Sequence, residues 1–411
     1  MGLGLFAFTK PKSKNTKTKM DFCTPITPSS YIFFSLFVWF LLSNHLKQMI
    51  ATRLQQLNKP AVKTIQSPDG DIIDCVLTHK QPAFDHPLLK GTKPLDPPKR
   101  PRADNQIDNM SDIFQLWSLS GESCPEGTIP IRRVTEQDLL RANSISKFGS
   151  KLVDGVYREY AYGSVNGDGY TGAKANLNVW SPKTENKDEY SLAKISLSSQ
   201  SGETVEVVIS SSNINFMQVY ENLYKDRLSR LFIYWTADKD GKTGCYNLLC
   251  SGFIQTNRKI VIGGTLTASA INRNQFDVAL KIWKDPFVAN WWLEYGSGNV
   301  VGYWPSRLFN ELKGEAYFAQ FGGEVLNLMR SGSHTTTQMG SGNFQSLGYR
   351  KSAYIRNMQV SVNVKNTWID LPDPNYAALR PKCYSIRGAY SKKWGNYLYY
   401  GGPGHNDNCP L

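Results

Sequence analysis

Phe276-Asp-Val-Ala-Leu-Lys-Ile-Trp283 alternates apolar and other side chains with period two over much of its length. That spacing predicts a strand with one face on a core. Working outward, LFIYWTAD (231–238), KIVIGGTLTAS (259–269), NWWLEYG (290–296), NVVGYWP (299–305) and YIRNMQVSVNV (354–364) are further strand candidates. Gly-rich punctuation separates several of them, in DKDGK, GSGN, QMGSGN and YYGGPG. Many short strands with turn signals between them predict a mostly β domain, an antiparallel β-sandwich or barrel, from about residue 151. One helix should interrupt it, where Ser306 after Pro305 can cap RLFNELKGEAYF. Upstream, Thr135 and Asp138 form a capping box ahead of LLRANSISKF, which predicts a short helix. The part before residue 151 is therefore mixed α/β.

The chain has 411 residues, 41% hydrophobic and 20% charged, so it can bury a core without staples. Aromatics reach 12% and Gly numbers 33, which fits β structure and disfavours a long helical bundle. The net charge of +13 does not point to nucleic acid. Residues 1–103 hold 15 Lys+Arg against 6 Asp+Glu, whereas the other 308 residues hold 32 against 28. A nucleic-acid-binding domain should carry its basic excess on the folded part.

The amino terminus reads as a targeting segment. Lys10, Lys12, Lys14, Lys17 and Lys19 precede the apolar run Tyr31–Leu42, and polar SNHLKQ follows. Twelve helical residues span about 18 Å, short of a hydrocarbon core of ~30 Å. The segment therefore fits a signal peptide over residues 1–48, with Met20 an alternative start and a retained signal anchor the competing reading. Secretion makes the cysteines disulfide candidates. Cys23 lies in the leader, which leaves Cys75, Cys124, Cys245, Cys250, Cys383 and Cys409. Asn109-Met110-Ser111 is a glycosylation sequon. Residues 49–150 end in a Pro- and base-rich stretch, KPLDPPKRPR, and a mixed segment.

Nothing in the sequence calls for a cofactor or a metal. Only His334 and His405 lie beyond residue 103, and neither has ligand spacing to a Cys pair. No nucleophile elbow or phosphate loop is present. Carboxylates remain, and Glu324 has the most suggestive setting, between Phe321-Gly-Gly and Val325-Leu326. Partial desolvation in such an apolar segment suits acid–base work.

Several long segments resemble the plant neprosin family. They are LSRLFIYWTADKDGKTGCYNLLCSGFIQT, WKDPFVANWWLEYGSGNVVGYWPSRLF, FGGEVLN, HTTTQMGSGNF and WGNYLYYGGPGHNDNCP. Upstream, LNKPAVKTIQSPDGDIIDCV and QPAFDHPLLK resemble its activation peptide. The resemblance implies a secreted glutamic endopeptidase, made as a zymogen and cleaving proline-containing peptides under acidic conditions. It implies a propeptide over 49–150, a β-sandwich domain over 151–411, and disulfides Cys245–Cys250 and Cys383–Cys409. Cys75 and Cys124 then fall in the propeptide, with their pairing open. Two catalytic Glu residues are implied: one activates water and the other supplies a proton. The second maps onto Glu324.

The first catalytic Glu has two placements. Counting back without gaps from Leu223-Tyr-Lys-Asp226 puts it near Ile214, whereas matching T-V-E puts it at Glu206, with VISSSNINFMQ as an insertion. Glu206 is preferred, and Glu221 fits poorly. The family's Gly-Trp pair is absent under both placements. If Ile214 holds the position, the chain is a catalytically inactive extracellular binding protein of the same fold. Trp291, Trp292 and Trp304 could line a substrate groove for proline-rich peptide, since proline packs on aromatic faces; carbohydrate binding is a third use of such rings. The partners expected are a peptide substrate and the chain's own propeptide, with no nucleic acid, and a membrane only if the leader is retained.

Overall fold

The computed structural model describes residues 28–98, 115–140, 145, 148–149, 157–186, 189–210, 228–329, 333–363 and 367–409. Asn109, Ile214 and Glu221 lie outside the described residues. The chain divides into two units, at residues 1–48 and 49–411.

Helix α1 (Pro28–Leu57) continues through the polar SNHLKQ segment. Its last turns place Ile50, Leu54 and Leu57 against Val134, Leu139 and Phe148. Among the described residues, no helix is long and apolar enough to cross a membrane. Strands β1 (Ala61–Gln66), β2 (Ile72–Leu77) and β3 (Thr128–Arg132) make a small antiparallel sheet. Cys75 and Cys124 are joined in a disulfide beside it, which settles their pairing. Helix α2 (Glu136–Leu140) opens on the predicted capping box. Asp138 N donates to Thr135 Oγ1 (3.1 Å) and Thr135 N to Asp138 Oδ2 (2.8 Å).

The large sheet is built on β4 (Tyr157–Asn178), with β5 (Ser191–Ser198), β6 (Thr204–Ser210) and β7 (Ser229–Thr236). Two-residue strands β8 (Cys245–Tyr246), β9 (Ile254–Gln255) and β10 (Thr265–Leu266) follow. Next come β11 (Asp277–Lys284), β12 (Trp291–Tyr295), β13 (Asn299–Trp304) and β14 (Ala316–Asn327). The last are β15 (Ala353–Val362), β16 (Thr367–Asp370), β17 (Asn375–Ala378), β18 (Ser385–Ser391) and β19 (Gly395–Gly401). All paired strands run antiparallel, in the order β10-β7-β6-β5-β14-β4-β11-β12-β13-β9. β4 belongs to both halves. Its first part lies between β14 and β17, and its second between β11 and β15. This is the predicted antiparallel β-sandwich, curled about one large core.

Three local expectations change. The stretch 259–269 contributes only β10 to the sheet. RLFNELKGEAYF forms no α-helix: a 3-10 turn, Ser306–Leu308, precedes β14, and Ser306 caps nothing. The reason is Glu203, whose buried carboxylate accepts the backbone N–H groups of Asn310, Glu311 and Leu312, each at 2.7 Å. Those donors are tied to a side chain, so helical propensity yields to it. Finally, Val208, Ile209 and Ser210, the start of the stretch read as an insertion, belong to β6.

Trp291, Trp292 and Trp304 do not line a groove. They are at most 1% exposed and lie inside the main core. Trp291 faces Trp304 and Trp292 faces Tyr303 across β12 and β13. Trp292 packs on the Tyr303 ring at 4.5 Å, and Trp304 meets Phe253 at 4.8 Å. β12 is buried along its whole length, so both faces of this strand are covered and neither Trp of the pair points to solvent.

Candidate active site

Alternation along four neighbouring strands separates two environments. Ala193, Ile195, Leu197, Val205, Val207, Ile209, Leu231, Ile233, Trp235, Phe321 and Val325 enter the main core. The residues between them point the other way, where Tyr190, Leu192, Val208, Phe232, Tyr234, Tyr246 and Leu326 form a separate small cluster. Glu206 on β6, Lys194 on β5 and Glu324 on β14 share that second face. Glu206 sits opposite Ser196 and Tyr234, and Lys194 opposite Val208 and Gly322. Glu324 sits opposite Leu192 and Tyr160.

Lys194 Nζ joins the two acids, donating to Glu206 Oε1 at 3.1 Å and Glu324 Oε2 at 2.9 Å. All three are buried, at 6% (Glu206), 7% (Lys194) and 1% (Glu324) exposure. The other Glu324 oxygen, Oε1, accepts from the Tyr190 hydroxyl, and Arg158 Nε lies 3.6 Å from it. Arg158 also donates to Tyr190 Oη at 3.3 Å. The Tyr160 ring lies 5.5 Å from Lys194 Nζ. Arg158 and Tyr160 are half-buried.

Burial works against the charged form of Lys194, but Glu206 and then Glu324 outweigh it and hold the ammonium above its ordinary value. Arg158 is likewise held protonated, by Tyr190 and Glu324 against burial. Burial first, and nearby carboxylate charge second, push Tyr160, Tyr190 and Tyr234 upward, so each hydroxyl stays protonated. The site thus contains two carboxylates, two fixed cations and neutral phenols. It differs from an isolated carboxylate pair, because an ammonium bridges the two acids.

Glu324 depends on the glycines before it. A Cβ on Gly322 would lie 2.2 Å from Ala161 O, and one on Gly323 would lie 2.6 Å from the Tyr400 ring. Only residues without a side chain allow this packing on β4 and β19. Other carboxylates have structural partners. Glu159 holds His334 and Asn327, Glu189 accepts Leu328 N and the hydroxyls of Thr335 and Thr337, and Glu203 holds the 310–312 loop. Sequence reasoning missed Lys194, Tyr190 and Arg158, for which no motif gave a signal.

The disulfides Cys245–Cys250 and Cys383–Cys409 are both present. His334 comes close to Cys383 and Cys409, their ligand-type atoms all lying within 4.8 Å of one another. Both sulfurs are committed to the disulfide, so this group does not offer the thiolates a metal would need.

The region preceding β4 is anchored to the sandwich by buried polar contacts. Asp71 binds Arg132 (3.0 Å) and Arg230 of β7, and Asp69 binds Thr265. Ala83 and Leu89 enter the main core. Gln115 Nε2 donates to Val261 O, and Val261 N donates back to Gln115 Oε1, both at 2.7 Å.

An antiparallel β-sandwich with a buried pair of glutamates, fastened to a disulfide-bonded amino-terminal sheet, defines a two-part β protein. The chain belongs to the neprosin family. The neprosin domain matches residues 187–403 and the neprosin activation peptide matches 64–174, reaching into β4. The chain is also similar, at 10% identity, to a scytalido-glutamic peptidase solved with a peptide-based transition-state analog. That alignment covers 60% of this chain and 99% of that one, with a TM-score of 0.31. SCP-B, a member of the Eqolisin family solved with the tripeptide Ala-Ile-His, is 10% identical over 60% of this chain and 98% of its own, with a TM-score of 0.32.

Proposed function

We propose that this chain is the zymogen of a secreted glutamic endopeptidase that cleaves proline-containing peptides at acidic pH, with Glu206 and Glu324 as its catalytic pair. In this reading residues 1–48 are the leader, 49–150 the propeptide and 151–411 the peptidase domain. The observation that carries it is the convergence of Glu206 and Glu324 on one buried ammonium. In the reaction, one ionised carboxylate takes a proton from water as its oxygen bonds to the scissile carbonyl carbon. The other gives its proton to the departing amide nitrogen as the C–N bond breaks. Lys194, Arg158 and the Tyr190 hydroxyl are the donors available to counter the negative charge that develops on the carbonyl oxygen. No metal or cofactor is needed for this sequence of proton transfers.

The test is mass spectrometry of a proline-rich peptide incubated with secreted, acid-treated protein at pH about 3 and at pH about 7, below and above the carboxylate range. Glu206→Gln and Glu324→Gln serve as controls. Cleavage at acid pH that either substitution abolishes supports the reading. Folded, propeptide-free protein that leaves the peptide intact would instead support the inactive binding protein.

A further inference from the structure

We propose that Lys194 sets the alkaline limit of the reaction, confining activity to acid pH by weakening the hold of the Glu206–Glu324 pair on the proton it must keep. This rests on the reading of those residues as the catalytic pair. Hydrolysis by two carboxylates needs one protonated and one ionised, and the singly protonated pair is lost as pH rises through the second macroscopic step. A cation within hydrogen-bond reach favours the ionised form of a carboxylate. Lys194 touches both carboxylates at once and is itself buried among them. The second step, and with it the alkaline limb of activity, therefore falls at lower pH than two such glutamates alone would give.

The charged and titratable groups around the ammonium and its two acids come from every strand packed there. Glu206 lies on β6, Glu324 on β14, Arg158 and Tyr160 on β4, and Tyr190 beside β5, with Tyr234 on β7 and Tyr246 on β8. The phenols are held neutral, so they do not compensate the ammonium. Arg158 adds to its effect on Glu324, from 3.6 Å. Gly322, opposite Lys194, presents no side chain to shield Lys194 from Glu324. Lys194 is a positioning and electrostatic residue here: held above its ordinary value, its ammonium is a poor proton donor.

The experiment compares the pH dependence of kcat/KM for wild type, Lys194→Gln and Lys194→Arg, using acid-activated protein. Lys194→Gln should move the alkaline limb upward by about one pH unit or more, while Lys194→Arg, which keeps the charge, should leave it near its wild-type position. An unmoved or lowered limb in a folded Lys194→Gln protein overturns the proposal. A second measurement needs no substitution and no turnover. In wild-type protein with 15N-labelled lysine, the Lys194 ammonium resonance should step as the pair titrates, and a flat resonance across the acid range overturns the proposal. If no form cleaves peptide, the catalytic reading fails, and the ammonium titration still decides whether Lys194 governs the pair's proton.

Discussion

Gln81 and Gln255 close a two-way hydrogen-bonded clamp between the activation-peptide region and the sandwich. Gln81 Nε2 donates to Gln255 O at 3.0 Å, and Gln255 N donates to Gln81 Oε1 at 2.8 Å. A side-chain amide here completes the backbone pairing that a neighbouring strand would otherwise supply. Gln115 repeats the device six residues further along, on Val261. Both clamps are buried, so losing one leaves a peptide group without its partner. Gln81→Ala should lower the stability of the full chain by about 1–3 kcal/mol. The two sites share no partner, so Gln81→Ala with Gln115→Ala should be close to additive. Urea denaturation of the precursor measures both, and a double variant no weaker than either single one would deny the clamps separate roles.

The catalytic assignment predicts a dissociation between activity and folding. Glu206→Gln and Glu324→Gln preserve shape, and each removes one carboxylate from beside Lys194. Each should reduce peptide cleavage about a hundredfold or more, the scale of a general acid or base. Near-ultraviolet circular dichroism should stay native-like in both. By contrast, Glu203→Gln should act on stability, because Glu203 holds the Asn310–Leu312 backbone and lies outside the pair. Thermal melts beside single-turnover assays separate the two kinds of effect.

How much of this was legible depends on what kind of signal each residue gives. Glu324 was legible because FGGEV combines close-packed glycines with a lone acid, and the contacts of Gly322 and Gly323 give that pattern its cause. Alternation in 276–283 and its relatives revealed β7, β11, β12, β13 and β15, but β4, β5, β6 and β14, the strands around the acid pair, were not among them. Lys194 was hidden for the converse reason. One Lys in YSLAKISLS reads as the solvated face of a strand, and nothing local reveals that this face is covered and holds two acids. Trp291 and Trp292 failed similarly, because a strand buried on both sides cannot be told by its sequence from one bordering a groove. The helix expected after Ser306 failed because its backbone donors go to Glu203, more than 100 residues earlier.

The Cys75–Cys124 bridge closes a loop of sequence separation 49 within the activation-peptide region. Both cysteines are fully buried beside Ile65, Ile73, Trp117 and Val261. Chain-entropy arguments and measured removals of native bridges both give about 2–5 kcal/mol. Cys75→Ser with Cys124→Ser should therefore destabilise the precursor by that order and increase proteolysis of residues 61–132. Because Val261 belongs to the sandwich, some of the loss should appear as easier separation of the two parts. Limited proteolysis followed by size-exclusion chromatography tests this; a precursor indifferent to the double substitution would place the sheet's stability in the Asp71–Arg132 and Asp74–Arg133 pairs instead.

His334 and Glu159 give the fold its own pH window. His334 Nε2 meets Glu159 Oε2 and Nδ1 meets Thr335 O, both at 2.8 Å. Thr335 O can only accept, so Nδ1 carries a proton, and Nε2 carries one wherever the pair is ionised as imidazolium and carboxylate. Burial opposes that charge, but the Glu159 contact outweighs it and holds His334 above its ordinary value. Burial would raise Glu159, yet His334 and Asn327 outweigh it and hold the carboxyl below its ordinary value. The two linkage signs are opposite. His334 contributes fully below its unfolded value of 6.5, and the contribution is lost as pH rises through its folded one. Glu159 contributes above its unfolded value of 4.5, and that is lost as pH falls through its folded one. The pair is therefore fully effective between pH 4.5 and 6.5. His334→Gln should lower the melting temperature most inside that window, with the deficit shrinking on either side. A deficit that stays constant from acid to alkaline pH would show that His334 acts by packing on Tyr384, its ring neighbour at 5.6 Å, and not by charge.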